Sequence, residues 1–329
     1  MNASEDPASP SASPSASVAS GTRPVLQAIA FATVYLIWGS TYLGIRVGVR
    51  SLPPFLMAGG RYLLAGLILY AILRASGVAA PTRAHWIRSG GAGIVMLTVG
   101  NGFVTWAEQR VPSNLAALLV SAVPLYVALI DWLRPGGTRP QAHQVVGIVV
   151  GAAGMALLVW PDEHALAAPN FIGVAAILIA GLAWAGGSLY ARYSPHHPNA
   201  VMAAAQQMIG GAVVLLIIGI ARGEASRAAV AAITGTGVLA FLYLTIIGSL
   251  VAYSAFGWLI TVSTPARLST TAFVNPVVAV ILGWLLLGET LSQRALAGAA
   301  LIVCAVIVMT IGVRPLRAPY AAWRARRAA

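Results

Sequence analysis

Ten uncharged or nearly uncharged apolar runs divide this chain, and each is long enough to cross a bilayer. A helix needs about 20 mostly apolar residues to span the hydrocarbon. Such runs fall near residues 25–45, 55–73, 89–107, 112–131, 142–160, 171–191, 199–221, 234–260, 266–288 and 295–313. The eighth lies inside a charge-free stretch from Ala228 to Ala266, longer than one span requires. Of the 329 residues, 59% are apolar and 9% are charged, with a mean hydropathy of +0.83. No soluble globular domain has that balance, so a bilayer has to be the solvent. The runs are continuously apolar and lack the alternation of a transmembrane barrel strand. The expected fold class is therefore an all-α integral membrane protein with ten transmembrane helices.

Residues 1–22 are dominated by Ser, Ala and Pro and bury too little apolar surface to offset ordering, which reads as a disordered tail. No basic segment opens the chain, and the first apolar run is as long as a span, so it reads as a retained helix and not a cleaved signal. All twenty basic residues are Arg, giving a net charge of +12. With the N-terminus inside, thirteen of them fall on the cytoplasmic side, six fall opposite, and Arg61 lies within the second span. The positive-inside rule then places both termini in the cytoplasm, as an even number of spans demands. The basic tail at 314–329 reads as a segment lying on anionic membrane lipid, which makes nucleic acid the weaker partner. Cys304 is the lone cysteine, excluding an intramolecular disulfide, and reads as a packing residue.

Three residues recur at one offset: Trp106 and Trp258, Pro124 and Pro276, and Trp132 and Trp284 each lie 152 positions apart. Trp38-Gly39-Ser40 faces Trp184-Ala185-Gly186-Gly187-Ser188 at an offset of 146. Five spans per half is an odd number, so the second copy enters the membrane from the opposite side. Such inverted repeats build transporters, because two similar units about a pseudo-two-fold axis can exchange conformations around a shared midplane cavity.

Several stretches resemble the EamA family of the drug/metabolite transporter superfamily. In the first half they are Trp38-Gly39-Ser40-Thr41-Tyr42-Leu43-Gly44-Ile45-Arg46, Pro53 to Arg61, Gly100-Asn101-Gly102 leading to Trp106-Ala107-Glu108-Gln109, and Val111 to Leu118. In the second half they are Val274-Asn275-Pro276-Val277 and Gly288-Glu289-Thr290-Leu291. The resemblance runs from about residue 25 to 313, with repeats at 25–160 and 171–313. It implies two inverted five-helix repeats in the bacterial inner membrane and export of amino acids, metabolites or drugs. The loop beginning Arg134-Pro135-Gly136 lacks the Gly-Glu step found at Gly288-Glu289, so that element carries over to one half only.

The chain has no Lys, so the Gly-rich phosphate loop that ends in Lys is absent and transport is not driven by nucleotide through that route. The five histidines fall in loops or at span ends, which disfavours Ser or zinc hydrolysis at membrane depth. No cofactor is implied. His196-His197 could hold a metal but reads as a solvated turn, with no third ligand near. A charge within a span costs roughly 2.5 to 3.5 kcal/mol on insertion scales, so those present point to function. Arg61 either faces a polar cavity or snorkels to the outer surface; with Glu108 it is a candidate for ion or proton coupling. Glu108 with Arg110 and Asp131 with Arg134 otherwise read as surface pairs, and Glu289 as a helix-end residue.

Pro124 and Pro276 fall within the fourth and ninth spans, where each deprives the carbonyl four residues back of its donor. Matching kinks in both repeats would line a cavity. The expected substrate-binding set is Trp38, Tyr42, Asn101, Thr105, Pro124, Tyr253, Asn275 and Pro276, contributed by the first, third, fourth, eighth and ninth spans. With few fixed charges there, the expected ligand is a neutral or zwitterionic, partly apolar small molecule. An uncoupled pore and, more remotely, a lipid enzyme are the alternatives. A second copy of the chain remains open as a partner.

Overall fold

The computed structural model describes residues 24–136, 141–159, 170–226, 231–263, 271–290 and 292–311. The tails read from the sequence at 1–22 and 314–329 lie outside the described residues. Every described element is helical. The ten expected spans appear as α1 (Pro24–Gly48), α2 (Pro54–Ala75), α3 (83–107), α4 (Ser113–Leu133), α5 (Ala142–Val159), α6 (Phe171–Tyr193), α7 (Ala200–Ala221), α8 (235–262), α9 (Thr271–Leu287) and α10 (Gln293–Ile311). The fold is therefore an all-α bundle of ten helices, and the expected bounds hold to within a few residues at most ends.

Two spans are not simple α-helices. α3 passes from α to π geometry over Ile94–Asn101 before resuming at Gly102–Ala107, and α8 does the same over Tyr243–Val251 before Ala252–Val262. A π turn widens the helix by one residue per turn and is seldom kept without a functional use. The two occupy corresponding positions in the two halves.

The prolines behave differently from the expectation of paired kinks. α4 breaks between Val120 and Val123, with Pro124 in the first turn of its second segment, where a missing N–H is harmless. α9 continues as one helix through Pro276. The flanking helices hold that segment, as membrane bundles permit.

Small residues set the close approaches. A Cβ on Gly93 would lie 2.0 Å from the Gln207 carbonyl oxygen, bringing α3 hard against α7. A Cβ on Gly154 would lie 2.8 Å from the Gly298 carbonyl oxygen where α5 meets α10. α2 presents Phe55, Ala58, Tyr62, Ala65 and Leu69 to Ala205, Met208, Ala212 and Leu215 of α7, both at alternating three- and four-residue spacing. Cys304, read from the sequence as a packing residue, is exposed.

Hydrogen bonds define two ends. At one, which we call the glutamate face, α1 ends, α2 begins, and Thr234 Oγ1 donates to Ser51 Oγ at 2.9 Å. At the other, Gln27 Nε2 donates to the Val262 carbonyl at 3.0 Å, near where α1 begins and α8 ends. α6 starts at the glutamate face, with Gly173 packed on Val111 and Ala107, so it runs opposite to α1.

Candidate functional site

The bundle encloses a cavity of about 440 Å³ walled by α1, α2, α3, α4, α6, α8 and α9. Its wall carries Trp38 and Tyr42 from α1, Asn101 from α3, Pro124 from α4, Tyr253 from α8, and Asn275 and Pro276 from α9. These are seven of the eight residues expected from sequence to bind substrate. Thr105 is not on the wall: it is fully buried, and its Oγ1 donates to the Asn101 carbonyl at 2.9 Å, bracing the helix behind the site.

The apolar part of the wall is aromatic. The Trp38 ring sits edge-on to Tyr253 with centroids 5.5 Å apart and tilts against Phe256 at 4.8 Å. Trp184 of α6 adds a further face. Trp38 and Trp184 are the repeat pair at offset 146, so the symmetry of the sequence reappears as two tryptophans on one cavity. Asn101 and Tyr253, 152 positions apart, are a second such pair on the wall. Each lies at or just beyond a π segment, and Gly100-Asn101 and Gly248-Ser249 of those segments line the cavity.

The polar part centres on Arg61. Its exposure is 2%, so it does not snorkel; it lines the cavity. Its Nη2 donates to Asn101 Oδ1 at 2.6 Å and to Tyr62 Oη at 2.7 Å, and the guanidinium lies 4.4 Å from the Tyr62 ring centroid. Tyr62 and Phe256 were not singled out from sequence: one follows an arginine and the other closes an apolar turn, and neither carries a signal beyond its neighbours.

At the glutamate face the cavity is sealed. Glu108 is fully buried, and neither carboxylate oxygen meets a hydrogen-bond donor among the described residues. The surface pair expected with Arg110 is not formed: Arg110 lies 4.5 Å over the Trp106 ring, while Arg46 donates to the Glu108 backbone carbonyl. Asp131 and Arg134 do pair, at 2.6 Å. Above the cavity, Glu289 accepts from the Ser113 and Asn114 N–H groups at 2.9 and 3.0 Å, at the start of α4. Glu224 does the same for α2, accepting from the Phe55 and Leu56 N–H groups at 3.0 Å each. A carboxylate at a helix N-terminus satisfies orphan donors and meets the positive end of the dipole. Both glutamates follow a glycine of left-handed φ, Gly223 at 73° and Gly288 at 65°, so a Gly-Glu step builds the same cap twice. Opposite, the wall runs from Trp38, Trp184 and Phe256 down to Thr271, where the described part of α9 begins.

His197, expected in a solvated turn, is buried instead: its Nδ1 accepts from the Asn199 N–H at 3.0 Å and its Nε2 lies 3.2 Å from the Ala79 carbonyl.

Comparison with known proteins adds identity to this geometry. The EamA-like transporter family matches residues 25–160 and again 171–311, one copy in each half. The uncharacterized inner membrane transporter YedA of Escherichia coli (strain K12) is 39% identical over 292 residues, covering 87% of this chain and 92% of that protein. Protein PecM of Dickeya dadantii is 30% identical over 281 residues, covering 83% and 88% respectively. A solved crystal structure superposes over 90% of this chain and all of that one with a TM-score of 0.61 at 22% identity, a likeness of fold. The chain is a multi-pass membrane transporter, not an enzyme, and it belongs to the EamA-like transporter family.

Proposed function

We propose that this transporter is a secondary exporter that moves a small, partly apolar, neutral or zwitterionic organic solute out of the bacterial cytoplasm by alternating access. The observation that carries this reading is a cavity within the bundle, walled by helices of both repeats and covered at the glutamate face by buried residues. A pore would need a path at both ends, whereas Glu108, Ser113 and Asn114 are at most 1% exposed above this one. The arginine bias supports both termini and the Arg83 loop lying in the cytoplasm, which makes the glutamate face, and with it the closed end of the cavity, external. Likeness to an E. coli inner membrane transporter supports the bacterial inner membrane as its site.

The two repeats supply the means of switching. The π segments in α3 and α8 are positions at which these helices can repack while staying hydrogen-bonded, and the break in α4 lets its two segments move separately. Glu108, buried without a partner at the sealed end, is the group we assign to proton coupling.

Two measurements test this reading. Reporter fusions at Arg83 and Ala329 should both report the cytoplasm, and a periplasmic report from either overturns the orientation. In proteoliposomes, uphill movement should follow solute or proton gradients. Sustained uphill transport with both gradients collapsed and only ATP supplied overturns it.

A further inference from the structure

We propose that Arg61 is the anion receptor of the cavity, so that the transported solute carries a carboxylate or equivalent anionic group seated on its guanidinium. This rests on the cavity being the solute site and narrows the solute from neutral or zwitterionic to one that must bring a negative end.

Arg61 is 98% buried in a chain whose solvent is lipid, and it keeps its charge there. No carboxylate of the described residues comes within 4.0 Å of it. Its partners, the Asn101 amide oxygen and the Tyr62 hydroxyl, are neutral, and both are taken by the same nitrogen, Nη2. Its Nε is buried with no acceptor among the described residues. A buried cation held by neutral dipoles, with donors to spare on the wall of an otherwise aromatic cavity, is an incomplete ion pair. Both hydrogens of Nη2 are spent on Asn101 and Tyr62 and Nε is enclosed, so an incoming carboxylate is met by Nη1, which has no acceptor among the described residues, in a charge-assisted hydrogen bond.

The charge is also one-sided. Offsets between the repeats of 146 to 152 carry position 61 to 207–213, which reads Gln207-Met208-Ile209-Gly210-Gly211-Ala212-Val213 and holds no charge. The aromatic walls are shared between the repeats through Trp38 and Trp184, but the cation belongs to the first repeat alone. A solute therefore lies in a defined direction, with its anionic end toward α2 and α3 and its apolar body toward Trp38 and Phe256.

The test uses four radiolabelled probes with one aromatic body: 3-phenylpropanoate, phenylalanine, 3-phenylpropanamide and phenethylamine. They are bound at equilibrium to the full-length protein in detergent. The wild type should bind the two carboxylates about tenfold or more tighter than the amide, the worth of a charge-assisted hydrogen bond. Arg61→Gln should erase that preference and leave amide binding in place, while Arg61→Lys should keep part of it. Asn101→Asp should erase it too, by supplying within the chain the carboxylate that the solute would bring. Because Asn101→Asp retains the guanidinium and leaves no charge unpaired, it decides the matter if Arg61→Gln does not fold. Amide or amine binding as tight as the carboxylates in the wild type, or a preference surviving Asn101→Asp, overturns the assignment. If the amide binds equally and Trp38→Ala abolishes it, the solute cavity stands and only the role of Arg61 falls. If no probe binds, both fall.

Discussion

Glu289 and Ser113 lie 176 residues apart in the chain and are joined twice: the carboxylate accepts from the Ser113 N–H at 2.9 Å and from its hydroxyl at 2.8 Å. The turn after α9 thereby holds the first turn of α4, and one repeat closes the glutamate face of the other. Glu289→Ala removes these bonds and the one from Asn114, and should lower stability by about 1–3 kcal/mol. Glu289→Gln keeps one acceptor oxygen and should lose less. Thermal unfolding in detergent reads both, and equal losses would show that the charge, not the acceptor, holds the contact.

Gly91 and Gly93 occupy one Gly-rich stretch and should respond oppositely to a methyl group. The Cβ of Gly93→Ala would stand 2.0 Å from a backbone oxygen of α7, so the helices must separate, at about 1–3 kcal/mol or more. Around Gly91 nothing lies within 4 Å, and alanine there should be neutral or stabilising by up to about 1 kcal/mol through helix propensity. Folded yield and melting temperature of the two variants, side by side, check this.

The ten helices were legible because apolar run length is set by the bilayer and needs no knowledge of neighbours. Cavity residues such as Asn101 and Asn275 were legible for a related reason: a polar residue at mid-span must face something other than lipid. Burial of Arg61 was not, because sequence depth alone cannot distinguish a snorkelling arginine from one turned inward. The expected Glu108–Arg110 pair misled in the same way: two residues apart on a helix, the side chains point in different directions, and the helix end turned one in and the other out. The π segments carry no composition of their own and emerge only from how α3 and α8 pack.

Glu224 makes stability depend on pH. It lies in the turn after α7, and burial, outweighing its two backbone hydrogen bonds and Arg222, raises its carboxyl above the ordinary value of 4.5. A raised folded value favours the protonated form, so its contribution is full below about 4.5 and is lost as pH rises through the folded value. Glu224→Gln, which cannot ionise, should flatten the fall in melting temperature over that window. An unchanged pH profile would place the titration elsewhere.

Glu108→Gln separates coupling from carriage. Counterflow of solute, which needs only the switching of the cavity, should persist, while stimulation by an imposed pH gradient should disappear. Retention of the pH-driven component in this variant would remove Glu108 from the coupling role.

Solute counterflow in proteoliposomes tests alternating access at this cavity most directly. With pH and potential gradients collapsed, vesicles preloaded with unlabelled phenylalanine should transiently accumulate labelled phenylalanine above equilibrium. Trp38→Ala should abolish the overshoot, and Tyr253→Phe should weaken it by about 0.5–1.5 kcal/mol of binding, the worth of one hydrogen bond. Uptake that rises monotonically to equilibrium without overshoot, or an overshoot indifferent to Trp38, would contradict a carrier that binds its solute there.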